Sequence, residues 1–202
     1  MSEPTLSERA RRIRCVVLDV DGVVTDCKLY LAPDGTELKA VNVRDGLGIK
    51  LLLKAGIEVA VISGRPSLAM QKRFEFLGVR HVWLDVERKI PAYETLLARL
   101  GLEDGEMAVM GDDVPDLPLM RRAGLALTVA DAHPKALAAA HWASRLAGGN
   151  GAVREAAGPG EDRGDRIGRG LLALLVLAVM AGDRAVRSFG FHRLAVGRQQ
   201  HR

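Results

Sequence analysis

Val16-Val17-Leu18-Asp19-Val20-Asp21-Gly22-Val23-Val24-Thr25 is the stretch whose reading decides the fold. Its β-branched, apolar first half predicts a buried strand. That strand ends in two carboxylates spaced two apart, then a glycine. An ionised acid at the rim of an apolar core requires a cation or hydrogen-bond donors. The segment therefore poses the question of what its two acids hold.

Outward from this stretch, apolar runs alternate with helical stripes. Residues 28–31 and 38–43, joined by Ala32-Pro33-Asp34-Gly35-Thr36, read as a hairpin with Asp-Gly as its turn signal. Residues 46–54 carry a helical stripe that Gly56 terminates. A second buried strand is predicted at 57–62, after which Ser63-Gly64-Arg65-Pro66-Ser67 leads into a helix ending near Leu77. Strands at 81–84, 107–110 and 126–129 are separated by helices at 90–100 and 115–123, and a helix at 135–140 follows the last of them. This alternation predicts an α/β fold with a mostly parallel central sheet and flanking helices. Ligands of such sheets bind at the carboxyl ends of the strands.

Composition narrows the function classes. The 202 residues suffice for one sizeable α/β domain, and 48% hydrophobic with 27% charged content is ordinary for a globular protein. The net charge of +4 arises entirely in residues 158–202, which hold eight Arg and four acids. No basic stripe with interleaved aromatics marks the rest, so no nucleic-acid partner is expected. Cys15 and Cys27 stand in no metal-ligand spacing, which suits a reducing, cytoplasmic location. The polar N-terminus has no apolar secretory core. The apolar run at 171–181 falls well short of the roughly 20 residues needed to cross a bilayer, so no membrane association is expected.

Distinctive side chains fall, in order, at or beyond the strand ends: Asp19 and Asp21, Ser63, Lys89, then Asp112 and Asp113. Each alone has a bland reading as a turn, a helix cap or a solvated lysine. Together they supply two acids, a hydroxyl, an ammonium and a third acid at one sheet edge. This set resembles the haloacid dehalogenase-type phosphotransferases, and the fold implied is their Rossmann-like one. Longer stretches narrow the likeness: Asn42-Val-Arg44-Asp45-Gly46-x-Gly48-Ile49, Ile62-Ser63-Gly64-Arg65, Gly111-Asp-Asp-Val-Pro-Asp116, Ala130-Asp131-Ala132-His133-Pro134 and Gly148-Gly149-x-Gly151-Ala152-Val153-Arg154-Glu155. Across residues 13–157 the chain is similar to the 3-deoxy-D-manno-octulosonate 8-phosphate phosphatase family.

The chemistry follows from charge. A phosphomonoester dianion repels nucleophiles, so a divalent cation is needed to screen it and align the reacting atoms. Hard Mg²⁺ prefers carboxylate oxygens, waters and phosphate. The resemblance implies that Asp19, Asp112 and the Asp21 backbone carbonyl hold Mg²⁺. Asp19 is then the nucleophile that forms an aspartyl-phosphate, and Asp21 is the acid–base. Ser63 donates to a phosphoryl oxygen, and Lys89 stabilises developing charge. The substrate side is implied to comprise Asp21, Asn42, Val43, Arg44, Asp45, Gly46, Lys50, Arg65, Arg73 and Lys89. Guanidinium groups there suit the carboxylate of an acidic sugar phosphate, although Lys50 and Arg73 on predicted helices also read as solvated residues. The product implied is free 3-deoxy-D-manno-octulosonate, used in lipopolysaccharide precursor biosynthesis.

The gap of about 40 residues between Asp21 and Ser63 holds only the hairpin and a helix, too little for a cap domain. The family implies instead a homotetramer whose hairpins, about 27–43, associate so that a neighbouring subunit closes the site. Two departures from the family pattern stand out. Arg88 precedes Lys89 where an acid is usual, and the chain from about Ala157 turns Arg/Gly-rich. Residues 1–157 are thus read as the phosphatase domain. Residues 158–202 are read as an atypical tail, either disordered or mobile, from a shifted reading frame or an unusual extension. Two alternatives stay open: a phosphatase for a nine-carbon keto-acid phosphate such as an acylneuraminate 9-phosphate, or a non-catalytic tetramerisation module.

Overall fold

The structure is a computed structural model and describes residues 3–158. The expected tail, Gly158 apart, and the apolar run at 171–181 lie outside the described residues. Helix α1 (Leu6–Arg12) comes first, opened by a Thr5–Glu8 capping box. It buries only Ala10, so no apolar periodicity marks it in the sequence. Strand β1 (Cys15–Leu18) is buried throughout.

The hairpin is shorter than its sequence suggests. Strands β2 (Tyr30–Leu31) and β3 (Glu37–Leu38) pair antiparallel as a separate two-stranded sheet. Between them Gly35 takes φ +84°, and its N–H donates to the Ala32 carbonyl at 2.9 Å. The expected second strand at 38–43 is overrun at its end by helix α2 (Val43–Lys54), because the Asn42 side chain accepts from the Arg44 N–H and caps that helix.

Beyond α2 the chain alternates as expected through β4 (Glu58–Ile62), α3 (Leu68–Leu77), β5 (His81–Trp83), α4 (Lys89–Leu100), β6 (Met107–Met110), α5 (Leu117–Arg122), β7 (Leu125–Thr128) and α6 (Pro134–Ala139). A two-residue edge strand, β8 (Trp142–Ala143), and helix α7 (Ala152–Ala157) complete the described chain. The strand order is β5-β4-β1-β6-β7-β8, and every pairing is parallel.

Register places the functional residues. Leu18 stands opposite Val61 on one side and Met110 on the other. The residues that follow β1, β4 and β6 therefore emerge at one edge. Strand β1 has neighbours on both sides, and Ile49, Leu52, Phe74, Tyr93, Leu96 and Met120 from the helices are buried with it in one core. The backbone carrying Asp19 has little freedom to move, which suits a group that must hold one geometry. Helix α7 lies against α2, where a Cβ on Gly48 would come 2.9 Å from the Arg154 Cα. Only glycine permits that approach.

Candidate active site

Strand β1 delivers Asp19, whose N–H donates to the Met110 carbonyl at 3.0 Å. The first residue of α4 is Lys89, buried despite its charge, and its Nζ reaches Asp19 Oδ1 at 2.7 Å and Asp116 Oδ1 at 2.6 Å. Asp116 Oδ2 accepts from the Asp112 and Asp113 N–H groups at 3.1 and 3.3 Å. Two glycines make room for these acids. A Cβ on Gly111 would meet the Asp116 Cβ at 2.3 Å, and one on Gly22 (φ +97°) would meet Asp112 Oδ2 at 2.0 Å.

Electrostatics at this cluster calls for a cation. Burial, then the neighbouring Asp116, pushes Asp19 up to about 6 against the pull of Lys89. Burial, then Asp19 and Asp116, pushes Asp112 up to about 8. Lys89 feels burial as a downward push, but the two carboxylates outweigh it and hold the ammonium above its ordinary value. Asp112 Oδ1 is buried without a hydrogen-bond partner. Oxygens of Asp19, Asp112 and Asp116 lie within 4.8 Å of one another. An orphaned buried oxygen among hard ligands fits a divalent cation. Both Asp116 oxygens are already engaged by Lys89 and two amides, so Asp116 positions Lys89 and the 112–113 turn. Of the three, Asp19 and Asp112 keep oxygens that Lys89 does not engage.

Ser63 follows β4, buried, with its N–H donating to the Trp83 carbonyl and its Oγ accepting from the Arg65 N–H at 3.4 Å. Its hydroxyl proton remains to be donated. Asp21 turns toward the hairpin. Both its oxygens accept from Lys39 Nζ at 2.8 Å, and Thr25 Oγ1 donates to Oδ1 at 3.3 Å. Lys39 is the residue that sequence reasoning misses. The only signal for it is its two-residue spacing from Glu37, which puts both on one face of a strand.

The expected substrate residues separate. Arg65 is brought to the carboxylates, its Nε 3.7 Å from Asp21 Oδ2, while its Nη2 donates to Glu37 at 2.8 Å. Asn42 caps α2, and Val43 and Arg44 are exposed beside it. Lys50 and Arg73 both sit over the exposed Phe76 ring, at 4.7 and 5.7 Å. Gly46 leaves space for Arg73, whose Nη2 would lie 2.5 Å from a Cβ there. Asp45 departs from its expected role. It is 1% exposed, and its two oxygens accept from the Gly151 and Arg154 N–H groups at 3.1 and 2.9 Å. Its carboxylate caps α7.

Acid–Lys–acid geometry at the edge of a parallel sheet defines a phosphate-handling enzyme of the haloacid dehalogenase class, and residues 87–154 match the haloacid dehalogenase-like hydrolase family. The chain is 45% identical over 148 residues to the 3-deoxy-D-manno-octulosonate 8-phosphate phosphatase KdsC of Yersinia pestis, covering 73% of this chain and 79% of that protein. The Escherichia coli K12 counterpart is 44% identical over 147 residues, with 73% and 78% coverage. Among solved structures, the phosphatase of this name from Moraxella catarrhalis, in complex with magnesium, phosphate and KDO, aligns with TM-score 0.76 at 32% identity over 92% of this chain and 98% of that one. The cobalt-bound Haemophilus influenzae phosphatase aligns with TM-score 0.72 at 33% identity, covering 86% and 92%. The chain belongs to the 3-deoxy-D-manno-octulosonate 8-phosphate phosphatase family, and it is a phosphoric monoester hydrolase with a divalent-metal site.

Proposed function

We propose that the chain hydrolyses 3-deoxy-D-manno-octulosonate 8-phosphate to 3-deoxy-D-manno-octulosonate and phosphate with Mg²⁺, in lipopolysaccharide precursor biosynthesis. One observation carries the reading: Lys89 bridges Asp19 and Asp116 beside the unpartnered Asp112 oxygen. Asp19, Asp112 and the Asp21 carbonyl would hold the cation, which when bound neutralises phosphate charge and aligns the reacting atoms. An Asp19 oxygen attacks phosphorus, and the bond from phosphorus to the sugar oxygen breaks. Asp21 enters this step in its acid form and gives its proton to that oxygen. Asp21 then takes a proton from the water that attacks the aspartyl-phosphate, releasing phosphate and restoring Asp19. Ser63 donates to a phosphoryl oxygen, and the Lys89 ammonium offsets charge that builds there.

On the substrate side the proposal keeps Asn42, Val43, Arg44, Gly46, Lys50, Arg65 and Arg73, and assigns the Asp45 side chain to structure. A homotetramer belongs to the same reading. Leu29, Tyr30, Leu31 and Leu38 on the hairpin are exposed, and an uncovered apolar edge favours association through a partner's hairpin. The test is phosphate release with Mg²⁺ across eight- and nine-carbon 2-keto-3-deoxy sugar phosphates. Preference for the eight-carbon ester supports the assignment. Equal rates on both, or on unrelated esters, contradict it, and no turnover would favour a non-catalytic assembly role.

A further inference from the structure

The reaction as written leaves one buried charged group without a task. Lys39 follows the exposed hairpin, yet its side chain is only 2% exposed. Its Nζ lies 2.8 Å from both Asp21 oxygens and 3.5 Å from Glu37 Oε1. Glu37 Oε2 accepts from Arg65 Nη2 at 2.8 Å, and Arg65 Nε lies 3.7 Å from Asp21 Oδ2. Two acids and two bases thus close a ring through the β1 end, the hairpin and the loop after β4. Ion pairs on a surface contribute little. A buried ammonium, by contrast, needs all its partners, and losing one is costly. The three protons of Lys39 match the partners present, two toward Asp21 and one toward Glu37.

We propose that Lys39 is a positioning residue for Asp21, so that the hairpin sets the aim of the group that moves the proton. The inference rests on the reading of Asp21 as acid–base. A carboxyl group must lie within hydrogen-bond reach of the oxygen it protonates and, once ionised, of the water it deprotonates. Without Lys39, Asp21 keeps, among the described residues, only the long Thr25 hydroxyl contact and the Arg65 guanidinium at 3.7 Å. Neither fixes both oxygens. The ammonium bridges both while Asp21 is ionised and still holds one when the other carries the proton, and it ties that orientation to an element outside the central sheet.

The test uses leaving groups. Lys39→Met keeps the stem and removes the ammonium, and Lys39→Gln keeps a polar end in case the first variant folds poorly. kcat/KM reports steps up to phosphorus–oxygen cleavage. It is measured with Mg²⁺ on the eight-carbon sugar phosphate, whose alkoxide needs a proton, and on p-nitrophenyl phosphate, whose phenolate does not. The expected loss is about 100-fold on the sugar phosphate and under about 3-fold on the aryl ester, the former at the lower end of what acid–base catalysis contributes. Asp21→Asn should show the same selectivity, and the double variant no further loss. A selective Asp21→Asn beside an unselective or unaffected Lys39 variant overturns the inference alone. An Asp21→Asn that loses both esters equally overturns the acid–base reading and this inference with it.

Discussion

Asp45 sits in a stretch whose family likeness points to substrate, yet the structure spends its carboxylate on helix α7. Replacing Asp45 by Ala removes the acceptor of the Gly151 and Arg154 N–H groups, at 3.1 and 2.9 Å, in a place 1% exposed. Gly151 is the N-cap of α7 and has no side-chain cap of its own, so nothing local replaces what is lost. Each buried donor left unpaired costs about 1–3 kcal/mol, so the pair gives roughly 2–6 kcal/mol. That is a large fraction of the ~5–15 kcal/mol that holds a typical domain together. Asp45→Asn keeps one acceptor but turns an NH₂ toward the other amide, and should cost about 2 kcal/mol. Denaturant midpoints measure both losses, and hydrogen exchange at residues 151–154 localises them to α7. For folded Asp45→Asn, KM should stay within about threefold of wild type, because no uniform binding interaction is removed. Wild-type stability with a KM raised tenfold or more would refute the capping role and return Asp45 to the substrate.

Four further outcomes follow from the acid cluster and the hairpin. Asp112 at about 8 and Asp19 at about 6 stand above the ordinary carboxylate range in the metal-free fold. The folded state therefore binds the extra protons, and metal-free stability should fall as pH rises from about 4 to about 8. A divalent cation competes with those protons, so its apparent affinity should tighten roughly 100-fold between pH 6 and pH 8, with about one proton released at pH 7. Calorimetry in two buffers of different ionisation enthalpy counts that proton, and a flat affinity profile contradicts it. Gly22→Ala puts a Cβ 2.0 Å from Asp112 Oδ2 at φ +97°, so it should weaken cation binding and cut turnover about 100-fold or more; calorimetry and phosphate release read the two effects. Leu31→Glu on the hairpin should lower the mass seen by light scattering if hairpins associate, while leaving the melting temperature within a few degrees.

What the sequence makes legible here is whatever lies at the end of an apolar run. Asp19, Ser63 and Asp112 follow buried strands, and parallel pairing sends all three to one edge. Lys89 is legible only as a member of that ordered set, since its burial comes from the carboxylates on either side of it. Lys39 is not legible. It lies just past β3, where alternation says which residues share a face but not that the face closes over Asp21. Asp45 misleads for a related reason, because its partners Gly151 and Arg154 lie more than a hundred residues later. Asn42 looks like a ligand in the sequence and serves as the cap that starts α2 at Val43, cutting the expected strand short. Strand β8 is two residues at a sheet edge, too short for any periodicity to register. Contacts made along one element are readable, and contacts made across the fold are not.

In the proposed reaction Asp19 takes the phosphoryl group, and the adduct can be trapped there. Enzyme with Mg²⁺ and the eight-carbon sugar phosphate is quenched in acid during turnover, reduced with borohydride, digested and analysed by mass spectrometry. Reduction converts an aspartyl-phosphate to homoserine, so the expected result is homoserine at position 19, dependent on substrate and absent from Asp19→Asn. Homoserine at Asp21 or Asp112 instead, or rapid turnover by Asp19→Asn, would contradict it.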